Sequence, residues 1–486
     1  LDRQLDLIFR LFCLGQLFTC LRPYLLRSLV GGFETGGFPA ALEVLSSAWP
    51  PARWFVYLPC LAIVIFGAKR PWIFALALGQ IFDVSAGIWT NTLASGYSEK
   101  GLVVLLSVGS AVLVALDRGP EAERVARLRG FIRAAACIAF ASIALNKFNS
   151  DFINSVTSCA RVLNEGLIKI IPFASPVAGP LASHASAALA MEALLLPILL
   201  LQPRYGVVYT WGFFVSVAMV GPRATCLVFM AIALSFLPAQ DFERLKGSSR
   251  QVYIGLAASF FVALGFWIFA LGDTQRFAVT ELLSRVGFLA LALFGIGLMV
   301  ANAWGSRRTP DASWAGFRSG PPGIALLAGI VLSLLFVNEL APYLGLKTKY
   351  SLTMWSNLRA DQGRSNSYII PDFLRVSGRV DRALLHVSQI ERRIGSTDQT
   401  QPRRRTQPVR PAFVAAHGTA LAHLQMLEDR FGPLSFEVGA EGNQRTFSGA
   451  QDGSEFASWV NATRPRVDWF EDAVMTVDMP QTCLGP

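Results

Sequence analysis

The sequence predicts an all-α polytopic membrane bundle of about eleven spans with a small α+β extramembrane C-terminal domain, and three observations carry that prediction. Apolar segments recur from the N-terminus to about residue 341. Hydrophobic residues make up 53% of the chain and charged residues 16%, whereas soluble domains are typically about 25% charged. From residue 342 onward the composition turns to Arg, Gln, Ser and Asp. The chain thus divides into a transmembrane region, 1–341, and a C-terminal domain, 342–486.

Taken in order, residues 5–30 are mostly apolar but carry Arg10, Arg22 and Arg27 and stop at Gly31-Gly32, which fits a first span with charged ends or an interfacial helix. Residues 54–68 form an apolar run ended by Lys69-Arg70-Pro71, and 72–89 form another with Asp83 inside it. Residues 101–116 follow, then the charged loop 117–124, then the apolar run 131–145. From 147 to 180 the pattern is amphipathic and broken by Pro172, Pro176 and Pro180, as expected of an interfacial helix and loop. Residues 181–201 span and carry His184 and Glu192. Runs 207–220 and 224–237 are separated only by Gly221-Pro222-Arg223, a tight helical hairpin. Runs 252–271, 286–304 and 323–341 complete the bundle. In the tail, 401–410 (QPRRRTQPVR) is a Pro/Arg linker, 411–431 has the apolar spacing of an amphipathic helix, and 434–438 alternates like a strand.

Loop charge orients the bundle. Lys69 and Arg70, then Arg118, Arg124, Arg127 and Arg129, then Arg204, then Arg244, Lys246 and Arg250, then Arg307, Arg308 and Arg318 fall on one side; Lys100, Arg223 and Arg276 fall on the other. The positive-inside rule makes the first side cytoplasmic. Lys147 and the C-terminal domain then share the outer face of a multi-pass membrane protein. The net charge of +10 is accounted for by this orientation signal. With no basic stripe or nucleic-acid module, nucleic acid is not an expected partner. The cysteines lack metal-ligand spacing, His386, His417 and His423 are dispersed, and no metal is expected. Cys159 and Cys483 lie in polar surroundings, and their pairing is not deducible.

Chemistry concentrates at Asn146-Lys147-Phe148-Asn149-Ser150-Asp151-Phe152, where a hydrophobic helix leaves the bilayer. One reading is a snorkelling lysine with its stem in lipid and its ammonium among headgroups. The other is a general base, because desolvation favours the neutral amine; the surrounding amides, hydroxyl and carboxylate exceed what an anchor needs. His184 and Glu192, eight residues apart on one helix, fall on roughly one face. They fit a helix-end histidine and a hydrogen-bonded interior carboxylate, or a quinone-site or proton-relay pair. A glutamate within MEALLLPILLL must find a partner, as must Asp83. Arg223, in the outer hairpin, is an interfacial anchor or a partner for such carboxylates or an anionic headgroup.

The stretch from Lys147 to Phe152, after a helix ending Ala144-Leu145-Asn146, resembles the lysine motif of the vitamin K-dependent γ-glutamyl carboxylase superfamily, whose bacterial relatives are the horizontally transferred transmembrane (HTTM) proteins. Gly345-Leu346-Lys347-Thr348, then Ser351-Leu352-Thr353-Met354-Trp355-Ser356-Asn357-Leu358-Arg359, then Arg364-Ser365-Asn366 is similar to the segment after their last span. Val467-Asp468-Trp469 through Pro480-Gln481-Thr482-Cys483 resembles their C-terminus. The resemblance implies that Lys147 is the base that deprotonates a reduced quinone, vitamin K-like, at the outer face, ahead of oxygenation and carboxylation chemistry. In an enzyme of this kind Lys147 is the catalytic base with Asp151 and Glu192 assisting, and His184, Asn149 and Arg223 are the candidate cofactor contacts. Run 207–220 lacks the histidine that relatives often carry there, and the tail has no evident propeptide site.

Two functions follow as expectations. One is a lysine-based enzyme with a quinol or other lipid-soluble cosubstrate and carboxylase-like lyase or oxygenase chemistry. The other is a non-catalytic accessory subunit that binds lipid, quinone or pigment and stabilises a larger membrane complex. Expected partners are membrane lipids, a quinone and other membrane-protein subunits. Residues 356–359 are the tail segment expected to pack over the membrane site.

Overall fold

The computed structural model describes residues 2–18, 51–90, 100–153, 184–220, 223–238, 321–344, 367–370, 384–394, 405–410, 413–416, 434–440, 443–451 and 454–463, with scattered positions among 158–168, 254, 295–300, 424 and 428. The helical part comprises α1 Arg3–Phe18, α2 Pro51–Phe66, α3 Arg70–Thr90, α4 Lys100–Leu116, α5 Glu121–Lys147, the short α6 Ser150–Ile153, α7 Ala185–Ala193, α8 Leu195–Leu201, α9 Pro203–Val220, α10 Arg223–Ala233 with a 3-10 turn Leu234–Phe236, and α11 Pro322–Leu340.

The bundle is built around α5, which contacts α4, α7, α8, α10 and α11. Its 27 residues are rich in alanine, the best helix former. Glu121 and Glu123 in the first turn and Lys147 in the last complement the helix dipole. Burying such a helix requires partners for its cations. Arg127 grips Asp117 with two hydrogen bonds, 2.6 and 2.7 Å, and both side chains are almost fully enclosed. Arg133 donates to the Ser235 carbonyl at 2.6 Å and lies 5.4 Å from the Phe236 ring centroid. Elsewhere packing depends on small residues: a Cβ on Gly79 of α3 would lie 1.9 Å from the Phe55 carbonyl oxygen of α2, so these two backbones meet only at glycine.

Contacts at the helix ends define two poles. At one, Arg10 of α1 donates to the Val64 carbonyl, Gln4 to the Leu234 carbonyl, and Arg129 pairs with Asp2. At the other, Lys100 at the start of α4 pairs with Asp83 of α3 at 2.6 Å and donates to Gln80 at 2.6 Å. Lys147 ends α5 at this second pole. The basic loop residues Lys69, Arg70 and Arg118 belong to the first pole, the distribution that the loop charges predict.

Among the described residues, two helices are long and apolar enough to cross a membrane, Glu121–Lys147 and Pro322–Leu340. That corrects the expectation of about eleven full-length spans. Apolar helices at Trp54–Phe66, Lys100–Leu116 and Thr225–Phe236 are shorter, and so is the stretch Ala185–Leu201. The last is divided at Leu194, where Pro197 has no N–H to donate to the Ala193 carbonyl. The runs 252–271 and 286–304 lie almost wholly outside the described residues, as do residues 19–50. Apolar side chains face outward on α2 and α3 (Phe55, Leu58, Phe74, Leu78) and on α11 (Leu326, Leu334). Water disfavours so large a greasy surface.

The tail contains an antiparallel sheet of β1 Leu384–Ile394, β2 Arg405–Arg410, β3 Phe413–Ala416, β4 Leu434–Ala440 and β5 Asn443–Ser448, in the order β2-β1-β4-β5 with β3 also beside β1. β2 pairs with residues from Ile390 to Ile394 and β3 with Leu384 to Val387, so they share one edge of β1. Two expectations are corrected here. Part of the Pro/Arg-rich stretch is a strand rather than a linker, with Pro408 tolerated because β2 is an edge strand. The stretch 411–431 begins as strand β3; helix is described there only at Leu424 and Glu428. β4 covers the predicted strand, and Leu434, Phe436 and Val438 alternate inward. Phe436, Phe447, Phe456 and Trp459 form an aromatic core between the sheet and a last helix, α12 Glu455–Thr463. The Glu428 carboxylate closes one end by accepting the N–H groups of Leu434 and Ala450.

Candidate functional site

The site begins with the way α5 ends. The Phe148 N–H donates to the Leu145 carbonyl, which tightens the last turn. Asn149 then works in both directions: its amide donates to the Asn146 carbonyl at 2.8 Å, and its side-chain oxygen accepts the Phe152 N–H at 2.9 Å. It is therefore the N-cap of α6, and it is fully buried. This turn between two helices fixes the direction of the lysine that precedes it.

Lys147 points at Glu192. Its Nζ lies 2.5 Å from Glu192 Oε2, and each side chain is 9% exposed. Burial at that level means that neither charge is neutralised by solvent, so each depends on the other. The ammonium also lies 5.8 Å from the ring centroid of Phe152, an additional favourable contact. Beside the pair, Phe152, Ala160, Ala185 and Leu189 form a small buried apolar cluster with Phe148 and Ala188 packed on it. Tyr209 of α9 donates its hydroxyl at 2.8 Å to the carbonyl of Met191, the residue before Glu192.

The site has a cover from the tail. The Tyr368 N–H donates to the Phe148 carbonyl at 2.9 Å, and Ser367 pairs with Asn149 as an isolated antiparallel bridge. The chain that follows α11 therefore returns to the lysine turn. Residues 356–359, expected in that role, lie outside the described residues.

Of the six residues singled out in the sequence, Lys147 and Glu192 are brought into direct contact and Asn149 holds their turn. Asp151 belongs to α6, its side chain outside the description. His184 is the N-cap residue of α7 and is exposed, whereas Glu192 is buried on the same helix; the two face different surroundings. Arg223 is buried at the first position of α10. Asp83 has the structural partner Lys100 described above. Sequence reasoning missed Phe152 as a wall of the site, Tyr209 and the segment from Ser367. Tyr209 carried a signal: it is a polar group within the apolar run 207–220.

Chemically, the arrangement is one proton between an amine and a carboxylate, walled by apolar side chains. Among the described residues no group of three His, Cys, Asp or Glu side chains could hold a metal ion. No protein-family model, curated protein or solved structure matches the chain.

Proposed function

We propose that the chain is a polytopic protein of a bacterial inner membrane, an HTTM relative of the γ-glutamyl carboxylase superfamily, and that Lys147 and Glu192 form its proton-exchange unit at the outer face. The observation that carries this reading is the buried contact of Lys147 Nζ with Glu192 Oε2, 2.5 Å long, at the pole opposite the basic loops. With the proton on Lys147 the pair is ionic. With the proton on Glu192 the pair is neutral, net charge is unchanged, and the amine is a base.

Such a pair performs deprotonation without creating a lone buried charge before the substrate arrives. The neutral amine takes a proton from an acidic O–H, and the resulting ammonium stays beside the anion it has made. Phe148, Phe152 and Leu189 form an apolar wall of the kind an aromatic ring packs against, which fits a quinol held with its hydroxyl toward Lys147. A bound quinol supplies the ionisable hydroxyl. Lys147 removes the proton, Glu192 holds Lys147 in place, and the Ser367–Tyr368 segment covers the turn that carries it.

The test is binding of a reduced naphthoquinone to the protein in nanodiscs. Wild type binds the reduced form in preference to the oxidised form, and Lys147→Met weakens binding of the reduced form about tenfold, some 1.4 kcal/mol. Equal binding by wild type and Lys147→Met contradicts the proposal. A second reading, an accessory subunit of a larger complex, is supported by the apolar faces of α2 and α3, where the exposed Phe55 and Phe82 rings meet edge to face with centroids 4.7 Å apart.

A further inference from the structure

A cavity of about 530 Å³ opens at the first pole, among the N-terminal part of α1, the α2–α3 turn and the start of α5. Its wall carries Arg3, Arg10, Lys69, Arg70 and Arg124 against two carboxylates, Asp6 and Glu121. One of those carboxylates is already engaged. Asp6 accepts Arg10 Nε at 2.7 Å and the Ala68 N–H at 2.7 Å. Among the described residues, the side chains of Arg3, Lys69, Arg70 and Arg124 have no hydrogen-bond or ionic partner. Arg124 also buries its Nε without an acceptor, and a buried donor left unmade is costly.

The backbone adds to this field. The Trp72 and Ile73 N–H groups donate to the Lys69 carbonyl, which starts α3 beside Lys69 and Arg70 of the cavity wall, so the positive end of its dipole lies at the cavity edge. Gly67 makes the turn with φ +89°, and a Cβ there would lie 2.9 Å from Arg10 Nη2 and Asp6 Oδ1. Only glycine allows the turn to seat against the Asp6–Arg10 clamp. The rest of the wall is apolar, from the exposed Phe66 and the buried Leu113, Val114 and Leu128.

We propose that this cavity binds a phosphate-bearing anion at the face opposite the Lys147 site. Arg3, Lys69, Arg70 and Arg124 supply the charge, Arg124 Nε supplies a directed donor, the dipole of α3 adds to the field, and the apolar wall accepts the carbon frame attached to the phosphate. The same chemistry fits the headgroup of an acidic phospholipid and a soluble phosphoester. The proposal is independent of the Lys147 reading.

Native mass spectrometry of the full chain, with phosphatidylglycerol or phosphatidylcholine added, tests it, together with calorimetric titration by inorganic pyrophosphate. Retention of phosphatidylglycerol about tenfold above phosphatidylcholine, lost in both Arg124→Gln and Arg70→Gln but kept in Arg204→Gln, identifies a lipid headgroup site. Pyrophosphate binding that disappears in the same two variants, without a lipid preference, identifies a soluble phosphoester site. Melting temperatures unchanged from wild type show that the variants are folded, and Lys69→Gln, an exposed substitution, repeats the test if either arginine variant is not. The proposal is overturned if wild type shows neither preference, or if the variants retain the anion as wild type does.

Discussion

At the residue scale, the Lys147–Glu192 contact behaves as a unit, and its energetics distinguish it from a surface anchor. Removing one partner strands the other charge in the interior, so Glu192→Gln or Lys147→Met should each lower stability by about 3–5 kcal/mol. The double variant Lys147→Met/Glu192→Met should recover much of that loss, because no unpaired charge remains. Thermal unfolding of the four proteins in one detergent gives the coupling; additive losses would mean that the pair is not closed. Asp117 makes a different prediction. Burial raises its carboxyl pKa, but the hydrogen bonds from Arg127 and the Gly119 N–H and the Arg127 charge outweigh this and hold it below the usual value. A depressed carboxylate stabilises the fold above its unfolded pKa of about 3.9 and stops doing so as pH falls through the lower folded value. Unfolding temperature should therefore drop as pH is taken from 6 towards 3, and Asp117→Asn should be less stable at neutral pH and less sensitive to acid over that range.

At the scale of elements, the tail segment after α11 is tied to the turn after α5 by the Tyr368 N–H and the Phe148 carbonyl. Tyr368→Pro removes that donor. Amide exchange should then quicken around residues 148–153 and 367–370 while the α2–α3 hairpin is unaffected; unchanged exchange at the turn would show that the tail does not hold it. Such long-range contacts are the part of the site that the sequence does not reveal. Lys147 stands out because a lysine ends an apolar run, and Glu192 because a carboxylate interrupts one. Their meeting depends on how α7 packs against α5, 45 residues away in sequence, and no local pattern encodes it. The same limit explains the tail. β4 is legible from its alternation, whereas β2 is hidden in an Arg- and Pro-rich stretch because an edge strand needs only one paired side and little apolar content. The division of the 185–201 run at Leu194 could have been anticipated from Pro197 alone.

At the scale of the whole molecule, the two poles differ in charge and in chemistry. Among the described residues, the first gathers cations without side-chain partners around a cavity, and the second holds the buried Lys147–Glu192 pair beneath the tail, with Lys100 and Asp83 paired at the same end. In intact cells, a membrane-impermeant thiol reagent should label Ser454→Cys in the tail and spare Arg118→Cys at the first pole, the outcome required if basic loops face the cytoplasm. The reverse pattern would invert the bundle. The most direct measurement of the central claim is a cryo-EM map of the protein purified gently from its native membrane. Proton exchange at Lys147 predicts ring-shaped density against Phe148 and Phe152, with an oxygen within hydrogen-bonding reach of Lys147 Nζ. A map in which protein side chains alone fill that space, while the α2–α3 face packs against another subunit, would contradict proton exchange at Lys147 and leave the chain a structural member of a larger complex.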